Sequence, residues 1–117
     1  MRILVVDDDP GVARMIDRAY RSRDWEVIEA DDAIQAVFHA KHVRPDVVIL
    51  DIVLPGTSGL SVLERIRAHK RTADLPVIVI SGDAEAAEEA MALGANSFHP
   101  KPLDLDRLAE EIEAAVR

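Results

Sequence analysis

Short apolar runs rich in β-branched side chains recur along the chain, at Ile3–Val6, Val47–Leu50 and Val77–Ile80. Uninterrupted runs of this length suit strands covered on both faces, as in a parallel sheet. Trp25–Ala30 alternates more and predicts a more exposed strand, and a short fifth strand is expected around Ser97–His99. Segments of helical period lie between the strands. Asp9 ahead of Pro10 predicts an N-cap with proline at the first helical position. Val12, Met15, Ile16 and Ala19 then have the spacing of one buried stripe. Asp31 or Asp32 would cap a second helix, turning Ala33, Ala36, Val37 and Ala40 inward. Ser58 opens a third, with Val62, Leu63 and Ile66 inward. A fourth runs from Ala84 to Leu93 and stops at Gly94, a residue suited to a left-handed helix end. The last starts at Asp104 and buries Leu105, Leu108, Ile112 and Ala115. Strict alternation of strand and helix, five times over, predicts an α/β fold: a parallel sheet with helices on both faces.

At 117 residues, one domain with a core of its own is the expectation. The formal charge of −8 argues against direct nucleic-acid binding, which rests on cations displacing counterions from phosphates. With no cysteine, a disulfide framework, a thiolate metal site and a cysteine nucleophile are excluded. The apolar runs are far shorter than the ~20 residues of a membrane span. Asp7 follows the first run too soon for a signal peptide, so a cytoplasmic domain is expected.

Ligands of open α/β sheets bind at the carboxyl ends of the strands. Asp7, Asp8 and Asp9 follow the first run and Asp51 the third; Ser81-Gly82 follow the fourth, and Lys101 stands between Pro100 and Pro102 after the fifth. Asp9 is accounted for as a helix cap. The other carboxylates would repel one another unless a cation neutralised them. A hard divalent ion takes one or two carboxylates together with water and phosphate oxygens. An aspartate can also act as nucleophile and become an acyl phosphate. Lys101 and the Ser81 hydroxyl would then compensate the phosphoryl oxygens, and Gly82 would leave room beside them.

In this order, Ile3-Leu4-Val5-Val6-Asp7-Asp8-Asp9-Pro10, Asp46-Val47-Val48-Ile49-Leu50-Asp51-Ile52-Val53-Leu54-Pro55-Gly56, Ser81-Gly82 and Lys101-Pro102 resemble the receiver domain of bacterial two-component response regulators. The resemblance covers essentially the whole chain, and implies one receiver domain over residues 1–117. It implies a flavodoxin-like (βα)5 three-layer sandwich whose five-stranded parallel sheet has the order 2-1-3-4-5. Asp51 would be the phosphoacceptor and Asp8 a direct Mg²⁺ ligand, with Asp7 holding the metal through water and Val53 lending its backbone carbonyl. Mn²⁺ is the alternative ion. Ser81 would be the switch hydroxyl and Phe98 the aromatic that swings inward. Lys101 would bind the phosphoryl group and join Pro102 through a cis bond.

The function implied is a phosphorylation-dependent signalling switch fed by a histidine kinase or phosphotransfer protein. It would catalyse only its own phosphorylation and dephosphorylation, and pass the signal through the surface of its fourth helix, fifth strand and fifth helix. Its output would go to a downstream protein partner or to an effector domain absent from this chain, with no membrane partner. A monomer or a phosphorylation-dependent dimer is expected. A salt-bridged dimer through helix four fits poorly, because that helix carries Glu85, Glu88 and Glu89 without Lys or Arg.

Three other readings fit less well. A haloacid-dehalogenase-like phosphohydrolase wants a second aspartate two residues after the nucleophile, where Val53 stands. A flavin- or nucleotide-binding domain needs a phosphate loop after the first strand, where three aspartates would repel a phosphate. A receiver that only binds partners would not need the full set of acidic, hydroxyl and lysine groups. Elsewhere, His39 and His42 lack a third metal ligand and are expected as surface residues. Arg65, Arg67, His69, Lys70 and Arg71 are expected as a solvated helix end facing the dipole.

Overall fold

The computed structural model describes all residues, Met1–Arg117. Five strands form the sheet: β1 (Arg2–Val6), β2 (Glu26–Ala30), β3 (Val47–Asp51), β4 (Val77–Ser81) and β5 (Ser97–Pro100). They are all parallel, in the order β2-β1-β3-β4-β5. Five helices connect or follow them: α1 (Pro10–Tyr20), α2 (Ala33–His42), α3 (Gly59–Ala68), α4 (Ala87–Ala92) and α5 (Leu105–Val116). No helix is long and apolar enough to cross a membrane.

The three central strands are buried on both faces, which is why they read as unbroken apolar runs rather than as alternation. Successive side chains go to opposite layers. Leu4, Val6, Val48, Leu50, Val77 and Val79 pack under α2, α3 and Ala90 of α4, whereas Ile3, Val5, Val47, Ile49, Ile78 and Ile80 pack under α1 and α5. Each fully buried aliphatic side chain contributes roughly 1.5–3 kcal/mol relative to exposure. The same packing fixes the register, because a one-residue slip would exchange the two layers. β2, at one edge, is only partly covered, as its mixed pattern predicts.

The caps fall where the sequence places them. Asp9 accepts a hydrogen bond from the Gly11 amide, Asp32 from Gln35, Ser58 from Leu60 and Asp104 from Arg107. Two elements differ from the sequence reading. In α1 the buried residues are Ala13, Ile16 and Tyr20, whereas Met15 and Ala19 face outward. Tyr20 explains the rotation: its ring lies in the core and its hydroxyl escapes by donating to the Leu105 carbonyl at 2.8 Å. The fourth helix is shorter than expected. Asp83 caps a 3₁₀ turn over Ala84–Ala86, and only Ala87–Ala92 is α-helical before Gly94 takes φ +103°. Alanine side chains bury too little area to hold a longer helix down, and within α4 only Ala90 is buried.

Candidate functional site

The register brings the sequence-predicted groups to one edge. Val6 lies beside Leu50, Asp51 beside Ile80, and Ser81 beside Pro100. The residues at the ends of these strands, and those just after them, therefore lie at a common level. Carboxylate oxygens of Asp7, Asp8 and Asp51 all lie within 4.8 Å of one another. Asp7 and Asp51 are buried, while Asp8 is exposed.

Each group is held by backbone or by its neighbours. One Asp7 oxygen accepts from the Asp9 amide at 2.9 Å and the other from the Lys101 ammonium at 3.0 Å. Lys101 also donates to Asp51 at 3.2 Å. The second Asp51 oxygen takes the Val53 amide at 3.3 Å. Ser81 is buried and its hydroxyl accepts from the Asp83 amide at 3.0 Å. Lys101 is fixed in turn by its own amide, which donates to the Ser81 carbonyl at 2.8 Å, and the Lys101–Pro102 bond is cis as expected. Phe98 is half-buried against the α2–α3–α4 layer. Val53 stands in the open, 69% exposed.

Electrostatics follow from this packing. Burial, reinforced by the charge of Asp7, pushes the Asp51 carboxyl above its ordinary value, and Lys101 opposes the shift. Burial pulls the Lys101 ammonium down, but its contacts with Asp7 and Asp51 outweigh that and the net direction is up. Lys101 is one cation facing three carboxylates. A hard divalent ion suits such a set, with oxygen donors only and an exposed Asp8 on the open side.

The chain matches the family model "Response regulator receiver domain" over residues 3–113. The chain belongs to the response regulator receiver domain family. Among its relatives, the transcriptional regulatory protein KdpE of Staphylococcus aureus is 36% identical, matching 99% of this chain and 50% of KdpE. The DNA-binding dual master transcriptional regulator RpaA of Synechocystis is 30% identical over 99% of this chain and 49% of its own length. The chain thus spans about half the length of these curated relatives. Among solved structures, the receiver domain of NtrX from Brucella abortus is 36% identical with a TM-score of 0.87, covering 97% of each chain. The flavodoxin-like architecture expected from the sequence is therefore this chain's fold, and its function class is phosphorylation-dependent signalling.

Three residues of the receiver escaped the sequence reading or were misread. Arg67 is not solvated: it donates to the carbonyls of Gly94 (3.0 Å), Ala73 (3.2 Å) and Leu75 (2.6 Å) and to the Asn96 side chain (3.0 Å). Burial lowers its pKa, with Asp74 opposing. It ties the end of α3 to the loop before β5. Gly59 supports the acceptor loop from below, because its amide donates to the Ile52 carbonyl at 2.5 Å. A Cβ there would overlap the Asp51 carbonyl and the Ile52 Cα. The third, His99, is buried in β5 and is bonded at both ring nitrogens. Of the other residues in that basic run, Lys70 and Arg71 line a cleft with Lys41 and Arg44 at the ends of α2 and α3. His42 is exposed and stacks on Phe38 at 4.5 Å.

Proposed function

We propose that Asp51 accepts a phosphoryl group from the phosphohistidine of a histidine kinase or phosphotransfer protein. The carrying observation is the placement of Asp51: a buried strand-end carboxylate grouped with Asp7 and Asp8, with the Lys101 ammonium 3.2 Å away. Asp7, Asp8, Asp51 and the Val53 carbonyl would hold Mg²⁺, or Mn²⁺, which when bound neutralises charge on the phosphoryl oxygens. An Asp51 oxygen attacks phosphorus, the phosphorus–nitrogen bond of the donor breaks, and its electron pair stays on the imidazole. The Lys101 ammonium then moves its hydrogen bond from Asp51 to a phosphoryl oxygen. The Ser81 hydroxyl turns from accepting the Asp83 amide to donating to another, and Phe98 follows it inward. The whole chain, residues 1–117, acts in this reading as one cytoplasmic receiver.

The change would reach partners through the surface of α4, β5 and α5, to which Phe98 belongs as a residue of β5. The weakly packed, acidic α4 is the element most easily shifted. Output then passes to a protein partner or to an effector segment of a longer protein, as the regulatory names of the relatives suggest. The chain catalyses its own phosphorylation and dephosphorylation and no other reaction. The exposed Val53 occupies the position where a phosphohydrolase would need an acid.

Metal removal tests this reading. With a small acyl phosphate as donor, the protein in Mg²⁺ is expected to take up one phosphoryl group, and a chelator in excess should abolish uptake. Uptake at an unchanged rate in chelator would overturn the role given to the carboxylate cluster. The same titration carries an optical check. Trp25 precedes β2, packed edge-on against Tyr20 at 5.2 Å, while Asp7 hydrogen-bonds to Ala30 at the other end of that strand. Five residues at about 3.3 Å each put Trp25 on the order of 15 Å from the site. Its emission is therefore expected to stay unchanged as Mg²⁺ binds, and strong quenching would contradict a site at this edge of the sheet.

A further inference from the structure

His99 occupies a place where the fold has no evident use for a polar side chain. It is 1% exposed and lies beside Ile80 in the sheet, on the face packed by α1 and α5. Burying an imidazole there is costly unless both nitrogens are bonded. Both are. The Asp104 amide lies 3.1 Å from Nε2, and an amide can only donate, so Nε2 is the acceptor and the proton sits on Nδ1. Nδ1–H then donates to Glu111 of α5 at 3.0 Å, and the other Glu111 oxygen takes the Arg107 guanidinium at 3.2 Å. Glu111 thereby selects the one neutral tautomer that can hold Asp104.

The bond from Asp104 to His99 spans the turn Pro100-Lys101-Pro102-Leu103. Two of these four residues are prolines and donate nothing. The turn is therefore closed on one side by the Lys101 amide on the Ser81 carbonyl, and on the other by Asp104 on His99. The Lys101 side chain leaves this turn to reach Asp7 and Asp51. We propose that His99 is a positioning residue for Lys101: its Nε2, with the tautomer set by Glu111, closes the turn that aims the ammonium at the acceptor. The link also makes α5 part of the support of the site, through Glu111. This rests on the reading that Lys101 compensates the phosphoryl group on Asp51.

Side-chain amides separate the two nitrogens. In His99→Gln the amide oxygen can stand at the Nε2 position and keep the Asp104 bond; in His99→Asn the short amide reaches only the Nδ1 position; His99→Leu keeps neither. The measurement is the rate of phosphoryl uptake from a small acyl phosphate in Mg²⁺, with the thermal midpoint of each variant. Misplacing a catalytic group by ~1 Å can lower a rate by about a hundredfold, so the Asn and Leu variants are expected to fall at least about tenfold, while Gln stays within about threefold of wild type. Mg²⁺ should still bind in all four proteins, because the carboxylates of Asp7, Asp8 and Asp51 are unchanged. A purely structural His99 would instead make the rates follow the midpoints, with Gln and Asn equally impaired; that result, or wild-type rates in all three, would overturn the proposal. A wild-type protein that takes up no phosphoryl group would sink the underlying reading, which sets that failure apart. Should the variants not fold, the imidazole ¹⁵N shifts of the wild type still decide: a protonated Nδ1 with a bare Nε2 is expected, and a protonated Nε2 would overturn the proposal.

Discussion

Gly59→Ala is expected to lower the thermal midpoint by about 10 °C and to remove most phosphoryl uptake. The residue is buried at the first turn of α3, directly beneath the loop that carries Asp51. The methyl group would meet the Asp51 carbonyl and the Ile52 Cα, both of them backbone, so no rotamer change can make room. Either α3 or the acceptor loop must move. Overpacking of a tight site costs about 1–3 kcal/mol, and a backbone-on-backbone overlap belongs at the upper end. The displaced group is the one that must stay aligned with Asp7, Asp8 and Lys101, so uptake should suffer beyond the loss of stability. Gly82→Ala is the control for stability, since a Cβ there meets nothing within 4 Å. Thermal unfolding of the two variants side by side checks the contrast. Equal midpoints would mean that Gly59 is not a point of close approach.

How much of this was legible in the sequence depends on how local each signal is. The central strands were, because burial on both faces leaves no polar position between Ile3 and Val6 or between Val47 and Leu50. The grouping of Asp7, Asp8, Asp51, Ser81 and Lys101 was legible too, because each stands at the end of a strand or directly after it, and a parallel sheet brings such positions to one edge. The face of α1 was not. Met15 and Ala19 fit the apolar period as well as Ala13 and Tyr20 do, and only the distant Leu105 carbonyl makes the Tyr20 position tolerable for a hydroxyl. Burial pushes that phenol well above its usual range. Arg67 was misread for a related reason. Three of its four partners are the carbonyls of Ala73, Leu75 and Gly94, groups every residue carries, so no pattern of residue types announces them. Gly59 did leave a signal, a glycine straight after the Ser58 cap of the helix that follows the acceptor. His99 left a fainter one, a histidine in the strand just before the lysine turn, five residues ahead of the Asp104 cap.

The second large effect concerns Asp51 itself. Burial and the neighbouring Asp7 raise its pKa in the fold, so the folded state resists ionisation that the unfolded chain accepts readily. Stability contributed by the protonated form is therefore lost as pH rises through the window between the unfolded and folded values. Asp51→Asn removes that burden while keeping the shape of the side chain. Without metal at neutral pH it is expected to be at least as stable as the wild type, so loss of uptake in this variant cannot be blamed on unfolding. The deciding measurement is the mass of wild-type and Asp51→Asn protein after incubation with a small acyl phosphate and Mg²⁺, followed by mapping of the modified peptide. One phosphoryl group on the peptide containing Asp51, and none on the folded variant, is the expected result. Uptake undiminished in Asp51→Asn, or a phosphoryl group mapped to any other residue of the wild type, would contradict the assignment of Asp51 as the acceptor.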